Sequence, residues 1–113
     1  MKDRPDWIYS LTTFVPKSYN FFVGAEIGFI VGSKSDLPRL ERALRFLEKV
    51  GVDYEVEVAS AHRDLDLLQR TVKEFEKDGV SIFVTLAGLS AALPGIVAAL
   101  TEKPVIGVPL DVG

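Results

Sequence analysis

The sequence predicts an α/β protein of three layers, in which helices cover both faces of an open, parallel β-sheet. From Glu26 onward, short apolar segments alternate with segments in which apolar residues recur at the spacing of an amphipathic helix. The connections between these segments are only a few residues long, as in right-handed βαβ units. This regular alternation favours a single doubly wound domain, and 113 residues suffice for one.

Four segments have the pattern of strands. The segments "IGFIV" (27–31) and "VSIFVTLA" (80–87) are almost wholly apolar, which is typical of central parallel strands buried on both faces. In "VDYEVEVAS" (52–60) apolar and acidic residues alternate, which predicts a strand with one more exposed face. The segment "VIGVP" (105–109) is the fourth predicted strand.

Three helices are predicted between these strands, over residues 36–51, 64–79 and 90–104. The apolar face of the first comprises Leu37, Leu40, Leu44 and Leu47. The apolar face of the second comprises Leu65, Leu68, Val72 and Phe75. In the third, Pro94 is tolerable only near the first turn. An order of strand, helix, strand repeated to a fourth strand predicts a flavodoxin-like or Rossmann-like sheet.

The two ends of the chain are less regular. Residues 1–25 mix aromatic and turn-forming residues without a clear period, and "WIYSLTTFV" (7–15) has the composition of a short strand. This N-terminal arm is a strand, a loosely attached segment or translated upstream sequence. The chain stops just after the fourth predicted strand. We therefore expect the arm or a partner subunit to cover that strand, unless the protein is a truncated copy.

Composition excludes several classes of function. A hydrophobic fraction of 48% and a charged fraction of 26% are ordinary for a soluble, cytoplasmic protein. A net charge of -3 without a basic cluster argues against nucleic-acid binding. With no cysteine and one histidine, a transition-metal site is not expected. No apolar run approaches the roughly 18 residues that span a membrane, and the N-terminus lacks the apolar core of a signal peptide.

Three strand-to-helix junctions carry the candidate chemistry: residues 32–36, 60–63 and 87–91. Because the carboxyl ends of parallel strands meet at one edge of a sheet, we expect these loops to converge. In the first, Gly32 lets the backbone approach an anion, and the next helix presents free N–H groups to a phosphate. The hydroxyls of Ser33 and Ser35 add donors. The alternative is that Ser35 or Asp36 simply caps the helix.

The second and third loops point to a phosphorylated, planar ligand. Arg63 can hold a phosphate bidentately, and the imidazole of His62 can both donate and accept a proton. The alternative is an exposed histidine before a helix that Asp64 caps. In the third loop, Gly88 lets a flat ligand lie against the backbone. The neighbouring alanines serve close helix–strand packing equally well.

Taken together, "VGSKSDLP" (31–38), "VASAHR" (58–63) and "LAGLSAALPGIVAALTEKPVIGVP" (86–109) resemble the aminoimidazole ribonucleotide carboxylase family of purine biosynthesis. That family includes the N5-carboxyaminoimidazole ribonucleotide mutases, whose usual motifs are G-S-x-S-D, S-A-H-R-T-P and A-A-H-L-P-G. The resemblance covers residues 26–110. It implies an enzyme that forms 4-carboxy-aminoimidazole ribonucleotide, with a small ribonucleotide as substrate and neither metal nor organic cofactor.

The resemblance also implies roles for individual residues. Ser33 and Asp36 would hold the phosphate and the ribose hydroxyls of the substrate, and Ser60 and Arg63 would be further phosphate ligands. His62 would be the general acid and base. In the mutase reaction it would protonate the carbamate nitrogen, so that carbon dioxide is released, and later remove the proton from C4 of the imidazole.

The sequence departs from the family pattern in three ways. The "TP" after the arginine is Asp64-Leu65, which places a carboxylate near the proposed phosphate site or caps the helix. The histidine of "HLPG" is Ala92. In the carboxylases that use carbon dioxide directly, a motif like "AGRSNALSG" has alanine at that point, but lysine at the place of Arg63. The family also continues beyond the fourth strand with a segment that contributes to an octamer.

These departures leave alternatives open. The leading interpretation is a mutase or carboxylase acting on aminoimidazole ribonucleotide, in a homo-oligomer whose octameric form is in question without the C-terminal segment. A second is a relative of the carboxylase of nickel-pincer cofactor synthesis. A third is a catalytically impaired paralogue that only binds a phosphorylated ligand.

Overall fold

A computed structural model describes residues 25–88 and 92–111 and confirms the predicted fold class. The four strands form one parallel sheet in the order β2-β1-β3-β4. The strands are β1 (Ile27–Val31), β2 (Tyr54–Val58), β3 (Ile82–Ala87) and β4 (Val105–Pro109). The first and last have the predicted bounds. β2 and β3 are shorter than the predicted segments, because pairing with β1 stops before the polar or loop residues at their ends.

The helices are α1 (Glu41–Val50), α2 (Leu65–Lys77) and α3 (Leu93–Leu100). The helix predicted from residue 36 is in fact two elements, because a 3-10 helix (Lys34–Leu40) precedes α1. Pro38 lies inside that segment and lacks the N–H that an α-helical turn would use. The N–H of Glu41 donates to the Pro38 carbonyl, the tighter bonding pattern of a 3-10 helix.

The first face of the sheet, which carries Phe29 and Val31, packs against the 3-10 helix and α1. Its buried core consists of Phe29, Val31, Leu37, Leu40, Leu44, Tyr54, Val56 and Leu86. The predicted stripe of leucines in the first helix is therefore confirmed as core, with Leu47 partly buried beside it. α1 ends at Gly51, whose φ of 79° is the left-handed conformation that glycine adopts without strain.

The second face, which carries Gly28 and Ile30, packs against α2 and α3. Its buried residues include Leu68, Val72 and Phe75 from α2, as predicted. Leu65 was predicted on the same face, but it is exposed, because it is the first residue of α2 and the buried stripe begins one turn later. A Cβ atom at Gly28 would lie 2.4 Å from Cδ2 of Phe75, so glycine permits this close packing.

The remaining expectations concern the ends of the chain and the third helix. α3 is shorter than predicted, and residues 89–91 lie outside the described residues, as does nearly all of the N-terminal arm. β4 is the last strand and an edge strand of the described sheet. No helix in the described ranges is long and apolar enough to cross a membrane.

Candidate active site

A cavity of about 180 Å³ opens at the carboxyl edge of the sheet. The residues lining it are Gly32, Ser33, Asp36, Ser60, Ala61, His62, Ala87, Gly88, Ala92 and Leu93. They come from the loops after β1 and β2, from the end of β3 and the residue after it, and from the start of α3. In the order β2-β1-β3-β4, β2 is added on one side of β1, and β3 and β4 are added on the other side, although all strands are parallel. Ligands of such sheets bind at this switch point, between β1 and β3. The three predicted loops do converge.

The loop after β1 is held by Ser33. Its hydroxyl oxygen accepts a hydrogen bond from the N–H of Ser35 at 3.3 Å, and its carbonyl accepts one from the N–H of Asp36 at 3.0 Å. The capping residue is thus Ser33, and not Ser35 or Asp36 as the alternative interpretation had it. The expectation that these N–H groups are free for a phosphate is wrong for Ser35 and Asp36. The hydroxyls of Ser33 and Ser35 form a hydrogen bond with each other at 3.0 Å, which leaves one of their two protons to donate to a ligand.

The loop after β2 is held in the same way by Ser60. Its hydroxyl oxygen accepts hydrogen bonds from the N–H groups of His62 at 3.2 Å and Arg63 at 3.1 Å. Its carbonyl accepts one from the N–H of Asp64 at 3.1 Å. Because this hydroxyl accepts two backbone bonds, its one proton is left to donate elsewhere. Ser60 therefore fixes the backbone of the two residues that the sequence singled out for chemistry.

Ser33 and Ser60 occupy equivalent positions in the two loops. Each lies two residues beyond the end of its strand, after a small residue, Gly32 or Ala59. Each accepts a backbone N–H from the residue two positions further on. Both line the cavity, so two serine hydroxyls face one volume from adjacent strands. Such an arrangement suits the oxygens of a phosphate or a sugar.

The titratable side chains at the cavity are Asp36, which is half-buried, and His62, which is exposed. Within residues 25–88 and 92–111, no group forms a hydrogen bond with the imidazole of His62. Arg63 follows His62 but does not line the cavity. Its contact with a ligand stays a prediction, as do the roles of the other predicted residues.

Part of the cavity lining consists of small residues. Ala87, Gly88 and Ala92 line it, together with Leu93 from the first turn of α3. A Cβ atom at Gly32 would meet only the carbonyl oxygen of Leu86, at 3.9 Å, so the fold does not require glycine there. Small residues around this volume leave room for a flat ring against the backbone.

The structure shows where two of the departures from the family pattern lie. The carboxylate of Asp64 accepts a hydrogen bond from the N–H of Leu67 at 2.9 Å and caps α2. Of the two alternatives for Asp64, capping is therefore the one observed, and Asp64 does not line the cavity. Ala92 does line it, and no side-chain hydrogen bond caps α3 at this residue.

Sequence reasoning found five of the lining residues as site residues: Ser33, Asp36, Ser60, His62 and Gly88. It missed Leu93, whose apolar side chain carried no signal beyond helix packing. In the described ranges, no three histidine, cysteine, aspartate or glutamate residues lie close enough together to hold a metal ion.

The described residues form an α/β protein of flavodoxin-like topology with a cavity at its switch point. Residues 26–113 match the model of the AIR carboxylase family, and the chain belongs to that family. This confirms the resemblance seen in the three motifs.

Individual relatives agree. An N5-carboxyaminoimidazole ribonucleotide mutase of Methanocaldococcus jannaschii is 51% identical over 85 residues, which are 75% of this chain and 52% of the relative. One from Pseudomonas aeruginosa is 46% identical over 89 residues, 79% of this chain and 55% of the relative. The crystal structure of Treponema denticola PurE superposes with a TM-score of 0.71 at 29% identity, covering 76% of this chain and 55% of that one. The chain spans about half the length of these relatives.

Proposed function

We propose that this chain binds aminoimidazole ribonucleotides and catalyses formation of 4-carboxy-aminoimidazole ribonucleotide in purine biosynthesis. The observation that carries the proposal is a cavity that His62, Ser33, Asp36 and Ser60 line together. One proton-transfer group and several groups suited to phosphate or sugar oxygens are what a reaction on a ribonucleotide ring requires.

In this reaction His62 would donate one proton and later accept another. As the imidazolium, His62 donates a proton to the carbamate nitrogen of N5-carboxyaminoimidazole ribonucleotide, the nitrogen–carbon bond breaks, and carbon dioxide is released. C4 of the imidazole then attacks the carbon dioxide, and His62 accepts the C4 proton, which restores the imidazolium. With carbon dioxide as the substrate, only the second half is needed. Protons and charge balance in both cases.

The dimensions of the cavity bear on how the substrate is held. A volume of about 180 Å³ is below the roughly 300–1,000 Å³ of common ligand pockets. The imidazole ring and part of the ribose fill such a volume, and the phosphate then extends beyond it. Arg63, which lies next to His62 outside the cavity, is our candidate for holding that phosphate. A second copy of the chain, in a homo-oligomer, would complete the remainder.

Ala92 supports a second candidate function, ligand binding without turnover. It places a methyl group in the cavity lining where the mutases carry a histidine. A chain with this cavity would still bind the nucleotide through Ser33, Asp36 and Ser60. The two candidates differ in product formation and agree in binding.

The test supplies the purified protein with N5-carboxyaminoimidazole ribonucleotide and, separately, with aminoimidazole ribonucleotide and bicarbonate. Formation of the C4-carboxylated product is followed in both. We expect His62→Asn to lower kcat by about 10²–10⁴-fold, the usual contribution of a positioned acid–base group, and to retain nucleotide binding. We expect Arg63→Gln to raise KM instead. Binding without product in the wild type would favour the second candidate, and neither binding nor product would contradict both.

A further inference from the structure

The start of α3 forms part of the cavity lining, through Ala92 and Leu93. Ala92 is the N-cap residue and has no polar side chain with which to cap the helix. Pro94, in the first turn, has no backbone N–H to donate. A cap therefore does not fix this turn, and its position depends on what it packs against.

The first turn of α3 rests on Gly107 of β4. A Cβ atom at Gly107 would lie 3.0 Å from both Cβ and Cγ of Pro94. Carbon atoms in favourable contact are about 3.5–4.0 Å apart, so the proline ring occupies the space that a side chain at Gly107 would need. Because the two atoms belong to a rigid ring, no change of rotamer moves them aside.

β4 is held firmly where it meets Pro94. Gly107 is the register neighbour of Thr85 in β3. Thr85 is fully buried, and its hydroxyl donates to the carbonyl of Ile106 at 3.3 Å, one residue before Gly107. This side-chain hydrogen bond adds to the ladder between the two strands. We therefore expect a side chain at Gly107 to displace the helix and not the strand.

The rest of α3 is held as well. Thr101, which follows the helix, donates a hydrogen bond to the carboxylate of Glu76 in the last turn of α2. Val97, in the middle of α3, is fully buried in the core of the second face. Since the centre and the end of the helix are fixed, a push on Pro94 displaces mainly the first turn. That turn is the part of α3 that lines the cavity.

We propose that Gly107 is a positioning residue of the candidate site. It does not line the cavity itself and acts through α3. Because Gly107 has no side chain, Pro94 lies against β4, and this contact sets where Ala92 and Leu93 stand in the cavity lining. The contact is independent of the proposed function, whereas its effect on nucleotide binding rests on that function.

Gly107→Ala in the full chain tests the proposal. A lining displaced by a few tenths of an ångström loses part of its dispersion attraction to a flat ligand, so we expect the affinity for aminoimidazole ribonucleotide to fall about two- to fivefold in calorimetry. Gly95→Ala is the matched control, because it makes the same change next to Pro94, where a Cβ atom would meet nothing within 4 Å. It should leave the affinity unchanged.

Pro94→Gly tests whether the effect passes through the proline, because it removes both atoms that the new methyl group would meet. The amide resonance of Ala92 in a ¹H–¹⁵N spectrum reports on the cavity lining without a ligand. It should move when Gly107→Ala enters the wild-type chain and stay in place when the same change enters the Pro94→Gly chain. The affinity should follow the same pattern.

An Ala92 resonance that does not move in Gly107→Ala would overturn the proposal, as would an equal movement in both backgrounds. A moved resonance with wild-type affinity would also overturn it. Far-UV circular dichroism checks folding; if Gly107→Ala does not fold, the double variant should, and its failure would overturn the proposal too. A wild-type chain that does not bind the nucleotide would contradict the proposed function instead, and the Ala92 resonance would then support or overturn the positioning by Gly107.

Discussion

Ser60 is the residue on which the geometry of the candidate site depends most directly. Its hydroxyl accepts the N–H groups of both His62 and Arg63, at 3.2 and 3.1 Å. Ser60→Ala removes this acceptor and leaves the rest of the side chain, the β-carbon, in place. Both bonds are solvent-accessible, so water replaces them in part, and each contributes at the lower end of about 0.5–1.5 kcal/mol. We expect a loss of about 1 kcal/mol in the free energy of unfolding.

The loss of these two hydrogen bonds should also lower kcat. If the closed loop is about 1 kcal/mol less stable, the population of states in which His62 is displaced rises roughly fivefold relative to the closed state. Because kcat scales with the fraction of molecules in which His62 is in place, we expect kcat for the C4-carboxylated product to fall, by no more than about fivefold. A lost substrate contact alone would raise KM instead. Urea unfolding and steady-state kinetics on the same preparations measure the two effects.

Two variants make this test specific. Ser60→Thr keeps a hydroxyl at the same position and should retain both stability and kcat. Ser81→Ala removes a hydroxyl that donates to the Glu26 carbonyl at 3.4 Å, at the opposite edge of the sheet, and should leave kcat unchanged. If Ser60→Ala matches the wild type in stability and kcat, or if Ser60→Thr is as impaired as Ser60→Ala, the hydroxyl does not position His62.

The helix cap and the close glycine give two further predictions. Asp64→Ala removes the hydrogen bond to the Leu67 N–H and should cost about 1 kcal/mol of unfolding free energy, with KM unchanged because Asp64 does not line the cavity; a change in KM would place Asp64 at the substrate. Gly28→Ala pushes a methyl group to 2.4 Å from the Phe75 ring and should cost about 1–3 kcal/mol in urea unfolding. Its control, Gly32→Ala, meets nothing within 3.9 Å and should keep stability while weakening nucleotide binding; equal stability of the two variants would contradict the packing at Gly28.

Much of the fold could be predicted because local pattern and tertiary packing agree. The bounds of β1 and β4 follow from apolar runs that end at turn-forming or charged residues. The split of the first helix at Leu40 did not follow from periodicity, because the leucine spacing continues through the 3-10 helix. The exposure of Leu65 depends on where α2 begins relative to the edge of the sheet. Both features depend on tertiary packing, which the sequence of a single segment does not specify.

The site was predictable to the extent that its residues are polar and lie at strand ends. Serine and histidine after an apolar strand are conspicuous, whereas Leu93 looks like any core leucine. Nothing in the sequence indicates that Ser60 bonds to two backbone N–H groups, because a serine after a strand is equally suited to a ligand contact. Only the distances from its oxygen to the N–H groups distinguish these roles.

The two loop serines also explain how the loops around the cavity have a fixed backbone while the cavity between them stays empty. Ser33 and Ser60 use their oxygens to hold the backbone. The proton of Ser60 is left to donate, and one proton is left between the hydrogen-bonded hydroxyls of Ser33 and Ser35. Neither loop relies on a bulky side chain, so Gly32 and Ala61 can leave the volume between them empty. Hydrogen bonds within each loop therefore set the positions of the serine hydroxyls at the cavity, before any ligand binds.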